Sequence, residues 1–168
     1  RQLLKIADAE LRESYQRILR RFRYGPGAFK VDYALNAKIP WKAADCARAA
    51  TVHLGGGFEE IANSEHIVRS GQHPEHPFVL LVQPTLFDES RAPTGKHIAW
   101  AYCHVPNGST EDMLFRLENQ IERFAPGFRD CVLVRHVLSP ADLEKHDRNL
   151  VGGDISGGIA DLRQFLLR

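Results

Sequence analysis

Phe29-Lys30-Val31-Asp32-Tyr33-Ala34-Leu35 alternates in character: Phe29, Val31, Tyr33 and Leu35 are apolar, while Lys30 and Asp32 are charged. Successive side chains on a strand point to opposite faces, so this period of two predicts a strand with one buried and one polar face. Just before it, Gly25-Pro26-Gly27 closes a different pattern. Leu4, Ala7, Leu11, Tyr15, Ile18, Leu19 and Phe22 recur at three- and four-residue steps between Leu3 and Phe22. That spacing predicts one amphipathic helix, stopped by the Gly-Pro-Gly run.

Downstream, Pro40-Trp41 and the alanine-rich 43–50 segment form a connection with a helical turn. Thr51 to Leu54 is a short strand ended by Gly55-Gly56-Gly57. Phe58, Ile61, Ala62 and Ile67 suit a helix closing near Gly71. Phe78 to Val82 and His97 to Val105 are further strands, separated by a turn-rich stretch from Asp88 to Gly95. Ser109 with Asp112 resembles a capping box for a helix whose seam is Leu114, Leu117, Ile121 and Phe124, stopped at Pro126-Gly127. Val132 to Val137 is a strand. Ser139-Pro140-Ala141-Asp142 then has a cap residue, a proline at the first helical position and an acid at the third, so a short helix follows. A glycine-rich run from Leu150 to Gly158 leads into a last helix from about Ile159. Strands and helices do not alternate strictly. The expected fold class is therefore α+β: a mixed, mostly antiparallel sheet with helices packed on one side.

The chain has 168 residues, the length of one domain, so 1–168 is read as a single domain with a real core. Its formal net charge of +1 marks no nucleic-acid or membrane binder. Arg17, Arg20, Arg21 and Arg23 make a locally basic helix face, best read as solvated. Cys46, Cys103 and Cys131 are odd in number and far apart, which argues against a disulfide framework and a zinc site. A reducing, cytoplasmic setting fits them best. No apolar run approaches the roughly 20 residues of a spanning helix. The chain opens on Arg1 inside a predicted helix, which sets the expectation of an excised segment.

Four groups of residues invite chemistry. His73 and His76 stand as H-x-x-H around Glu75, but Pro74 and Pro77 make this a loop without the helical spacing of a zincin, and no metal is expected. Cys103 and His104 are adjacent on a predicted strand and so face opposite ways, which makes Cys103 a small buried residue rather than a nucleophile. Asn107-Gly108-Ser109 matches a glycosylation sequon, better explained as turn and cap. Gly152, Gly153, Gly157 and Gly158, with Asp154 and Ser156 among them, permit close backbone approach to something flat or anionic. The run is neither a Walker loop nor G-x-G-x-x-G, and a structural turn and a ligand-facing loop stand equally open.

Three stretches carry a resemblance: Arg23-Tyr24-Gly25-Pro26-Gly27-Ala28-Phe29-Lys30-Val31-Asp32-Tyr33-Ala34-Leu35, Ala101-Tyr102-Cys103-His104-Val105-Pro106-Asn107-Gly108, and Gly152 to Gly158 continuing through Asp161-Leu162-Arg163-Gln164. Together they resemble the phytoene-dehydrogenase-related FAD oxidoreductases, including the pyridine nucleotide-disulfide oxidoreductase domain-containing protein 2 group. The resemblance implies a two-domain flavoprotein in which this chain is the later part of the substrate-binding domain. Its partner would be the FAD-binding domain of the same polypeptide. The FAD-binding domain is missing here: neither the N-terminal fingerprint nor the C-terminal flavin motif is present, so the chain alone is expected to bind FAD poorly or not at all.

By the same resemblance the substrate domain covers the flavin and orients a small apolar or amine substrate for hydride transfer. Gly152, Gly153, Asp154, Ser156, Gly157 and Gly158 would lie near the flavin's reactive face. The related amine oxidases place a lysine near the flavin on the strand matching Phe29 to Leu35, which makes Lys30 the candidate catalytic residue. Its spacing from Gly27 is one residue shorter than in that pattern, so a solvent-facing Lys30 is the other reading. An apolar surface exposed where the partner domain packs is also expected, with a homodimer through it as one outcome. The alternative function is a non-catalytic binding or interaction module.

Overall fold

The alternation at Phe29 to Leu35 builds the central strand. In a computed structural model that describes residues 2–162 and 164, β1 (Gly27–Leu35) lies between β4 (His97–Val105) and β5 (Val132–Leu138). β3 (Val79–Val82) pairs with the far side of β4, and β2 (Thr51–Leu54) closes that edge, giving the order β2-β3-β4-β1-β5. The α+β class holds. All four pairings are antiparallel, so the mixed character expected of the sheet is absent.

One face of the sheet is a continuous apolar layer. Phe29, Val31, Tyr33 and Leu35 of β1 sit beside Ala99, Ala101, Cys103 and Val105 of β4 and Val79 and Leu81 of β3, all buried. Helix α4 (Leu114–Phe124) lays Leu117 and Ile121 on them, and Phe128 of the short helix α5 (Phe128–Cys131) completes the layer. Truncating Leu117 or Ile121 to alanine belongs to the class of core deletions that cost about 2–5 kcal/mol. At the rim, Glu118 is held by Arg129 at 2.9 Å and by Arg135 of β5 at 2.8 Å. The opposite face keeps Lys30, Asp32, Trp100, Tyr102 and His104 only half-buried.

Two sequence expectations change. The predicted helix from Leu3 to Phe22 is broken: α1 (Gln2–Ala7) ends in a tight turn at Asp8–Glu10, Leu11 is extended, and α2 (Glu13–Arg20) starts afresh. Neither helix buries a residue, so no packing surface rewards continuity, and the Gln16 side chain instead bonds the Asp8 and Leu11 carbonyls at the break. The helix seeded at Ser109 starts later, at Leu114. Asp112 caps the Leu114 amide, while the Ser109 hydroxyl accepts from Glu111 N–H and meets His73 at 2.7 Å.

Ser139 does make the reciprocal capping box with Asp142 that opens α6 (Pro140–His146). Helix α3 (Phe58–Arg69) follows the Gly55–Gly57 run as expected. Of the helix expected from about Ile159, Ile159 to Asp161 are not helical, Leu162 and Gln164 are, and residues 163 and 165–168 lie outside the described residues. Among the described residues no helix is long and apolar enough to cross a membrane.

Candidate functional site

The three stretches singled out above, far apart in sequence, pack against one another at one end of the sheet. Asp154, 1 % exposed, accepts from the amides of Gly25, Ser156 and Gly158, each at 2.7 Å. Asn107 donates from one amide nitrogen to both Gly25 O and Val151 O, at 2.9 Å. Gln164 bonds Arg23 twice, accepting from its N–H at 2.9 Å and donating to its carbonyl at 2.8 Å, while Arg23 pairs with Asp161. The loop therefore clasps the Arg23–Gly27 segment that feeds β1.

Gly152 is required by that clasp. It has φ +63, and a Cβ there would stand 2.1 Å from Asn107 Oδ1. The loop's donors are turned inward as well. Gly152 N–H donates to Glu144 Oε2 at 2.8 Å, Gly153 N–H to Leu150 O at 2.9 Å and Asp154 N–H to Val151 O at 3.3 Å. With the Ser156 and Gly158 amides held by Asp154, five amides of the run serve the chain's own structure. Ser156 and Gly157 are the loop residues turned to solvent, beside Ile155. The phosphate-cradling arrangement, in which successive amides converge on an anion, is not formed by these donors. A cleft of about 210 Å³ opens beside the loop, lined by Leu19, Phe22, Tyr24, Val151, Gly157 and Arg148 among others.

From this end of the sheet the half-buried face runs along β1 and β4. The register sets Ala28 against His104, Lys30 against Tyr102 and Asp32 against Trp100. Lys30 lies on this face, paired with Asp32 and with its ammonium 5.7 Å from the Trp100 ring centre. Trp100 and Tyr102 are stacked at 6.4 Å with planes 13° apart, and the Tyr102 and His104 rings follow at 5.7 Å. Burial, and then the Glu65 carboxylate, push the Tyr102 phenol above its ordinary value. Glu65 arrives from α3, which is fixed to the start of β3 by Ser64 accepting from Phe78 N–H at 2.9 Å. Both Glu65 oxygens lie 3.0 Å from His104 Nδ1.

Cys103 and His104 diverge as strand geometry demands. Cys103 is in the core, its thiol pushed up to about 12 by burial, and His104 is on the other face with Glu65. His73 is engaged with Ser109, and among the described residues no three His, Cys, Asp or Glu side chains gather as a metal would need. Sequence reasoning singled out Lys30 and the glycine run and passed over Glu65, Trp100 and Tyr102. The signal was in the alternation of β4, where the three successive same-face positions Trp100, Tyr102 and His104 all bear rings. Glu65 gave none, since its partner is 39 residues away.

No protein-family model matches the chain. The chain is 30 % identical over 108 residues to the pyridine nucleotide-disulfide oxidoreductase domain-containing protein 2 of Mus musculus, covering 58 % of this chain and 18 % of that protein. The protein of the same name from Rattus norvegicus is 31 % identical over the same length and shares. The chain thus spans 18 % of the length of these curated relatives. The likeness supports a distant relation to oxidoreductase-domain proteins.

Proposed function

We propose that this chain is the substrate-binding portion of an FAD-dependent oxidoreductase of the phytoene-dehydrogenase and amine-oxidase kind. In this reading it covers a flavin held by another domain of the same polypeptide and orients a small apolar or amine substrate. The observation that carries the reading is the convergence of the three resembling stretches on one clasp, built from Asp154, Asn107 and Gln164. That clasp stands at the end of a sheet whose half-buried face bears Lys30 and the ring row. An α+β unit with one face packed and the other half-open is suited to closing over a cofactor and excluding water.

In this reading the flavin's phosphates are held by that other domain rather than by the glycine run. The glycine run spends its amides internally, and Asn107 fills the space a Gly152 side chain would take. Bound flavin would supply the two-electron acceptor. What this chain offers is a rigid cover: the loop from Gly152 through Gly158 at one end, the stacked Trp100–Tyr102 pair along the face, and the Lys30 ammonium fixed by Asp32.

The test is the visible spectrum of the full-length gene product. A yellow protein with flavin absorbance supports the reading, and a colourless one without a dinucleotide-binding domain ends it. Lys30→Met in that product is expected to keep the colour and lower the flavin midpoint potential, because a nearby cation favours the reduced, more negative flavin. An unchanged potential would remove Lys30 from the flavin's surroundings while leaving the cover intact.

A further inference from the structure

Glu65 and His104 form a pair that nothing in the sequence pattern announced. The imidazole sits on the half-buried face at the end of the ring row, where α3 reaches it, with its side chain 22 % exposed and that of Glu65 31 % exposed. Nδ1 is within 3.0 Å of both carboxylate oxygens, so in the neutral ring the proton belongs on Nδ1, where the carboxylate accepts it. Nε2 is then left as an acceptor, and it makes no hydrogen bond to the described residues. Beyond it lie Tyr102 and Trp100. The row spans four residues of strand, about 13 Å at a rise of about 3.3 Å per residue. Its far end carries the Lys30–Asp32 pair. The groups facing His104 are thus Glu65 from α3, the Tyr102 phenol from β4 and, farther along, Lys30 and Asp32 from β1.

We propose that His104 Nε2, the acceptor of the neutral ring when Glu65 takes the Nδ1 proton, receives the hydroxyl or ammonium of a ligand whose flat apolar body packs along the Tyr102–Trp100 ring pair. Glu65 is the positioning residue: it selects the tautomer and fixes the ring plane, as orienting carboxylates do beside histidines that must accept a proton. The inference rests on this face being the ligand-facing one, as proposed above, but it does not depend on a flavin. Its test is made without one.

Long-range proton–nitrogen correlation spectra of the 168-residue chain report the tautomer of His104 directly. The neutral ring is expected to carry its proton on Nδ1, and Glu65→Gln to lose that preference. A proton on Nε2 in the unaltered chain overturns the proposal. Titration with 2-phenylethanol and with 2-phenylethylammonium follows, observing the Nε2 and Trp100 indole resonances. A response of both resonances to the alcohol assigns hydroxyl ligands, and to the ammonium assigns amines. In either case His104→Phe, which keeps a ring and removes the acceptor, is expected to weaken that probe about tenfold, the size of one hydrogen bond. Should His104→Phe misfold, Glu65→Gln serves, with a smaller loss expected from the mixed tautomer. No response of Nε2 to either probe, or equal affinity in the variants, sinks the acceptor role. The colour of the full-length protein does not enter these measurements, so this proposal and the flavoprotein reading fail separately.

Discussion

Asp154 gathers three amide protons in a buried position, and the residues that give them come from two separate parts of the chain. Each such bond to an ionised acceptor is stronger than a neutral one, and removing the acceptor strands the donors. The glycines around it divide by what surrounds them. Gly152 has φ +63 and a full neighbourhood, whereas Gly157 has φ +71 and open space where a Cβ would go. Gly157→Ala should therefore cost only the left-handed backbone penalty, about 1–2 kcal/mol. Gly152→Ala must in addition expel the Asn107 amide, which bonds Gly25 and Val151, and is expected to cost at least about 2 kcal/mol more. Urea midpoints of the two variants measure the difference. Equal losses would mean that Asn107 moves aside freely and the clasp is loose. The glycine content of this loop was plain in the sequence, but the clasp was not, because Asp154 and Asn107 meet Gly25 across 129 and 82 residues.

At the scale of elements, α6 owes its start to a purely local device. The Ser139 hydroxyl accepts from Asp142 N–H at 3.2 Å, and the Asp142 carboxylate accepts from Ser139 N–H at 3.0 Å and from its hydroxyl at 2.6 Å. These bonds hold the Asp142 carboxyl below its ordinary value. A depressed folded-state value means the unfolded chain binds the proton more readily. The stabilisation is therefore complete above about pH 4 and is lost as pH falls through the folded value. Ser139→Ala should lower the melting temperature at neutral pH and shrink the fall in stability between about pH 4 and pH 2. An acid limb unchanged by the substitution would show that the cap contributes nothing there.

Such local devices explain why the strands at Gly27–Leu35, Thr51–Leu54 and His97–Val105 and the helix at Pro140–His146 were legible: alternation and capping are written in neighbouring residues. The break in the first helix and the late start of α4 were not legible, since both depend on what packs against the segment. The candidate site shows the same division. The place of Lys30 on the polar face was readable from the alternation of its strand, and its candidate role came from the resemblance alone, whereas Glu65 reaches His104 only through the packing of α3 on β3 and β4.

For the whole molecule, the first two helices leave part of their apolar surface in water: Leu4, Ala7, Leu11 and Leu19 are half-buried, but Leu3, Ile6, Tyr15 and Ile18 are exposed. Ile6 is 83 % exposed and Ile18 48 %, with Leu3 and Tyr15 nearly as open as Ile18. A stripe with helical spacing but no buried residue is costly to leave in water unless something covers it. Since the chain spans 18 % of its curated relatives, the proposed reading assigns the cover to the remainder of the same polypeptide. Amide exchange should then be fast across Gln2–Arg20 in the isolated chain, where short helices lack tertiary support, and slowest in β1 and β4 at the middle of the sheet. In the full-length gene product the same helices should slow by at least about tenfold, because tertiary packing adds its free energy to every local opening. β1 and β4, already protected by the core, should change little. Equal fast exchange of Gln2–Arg20 in both contexts would mean that these helices face solvent in the parent protein, and that the flavin-holding domain, if it docks here, does so through the half-open sheet face alone.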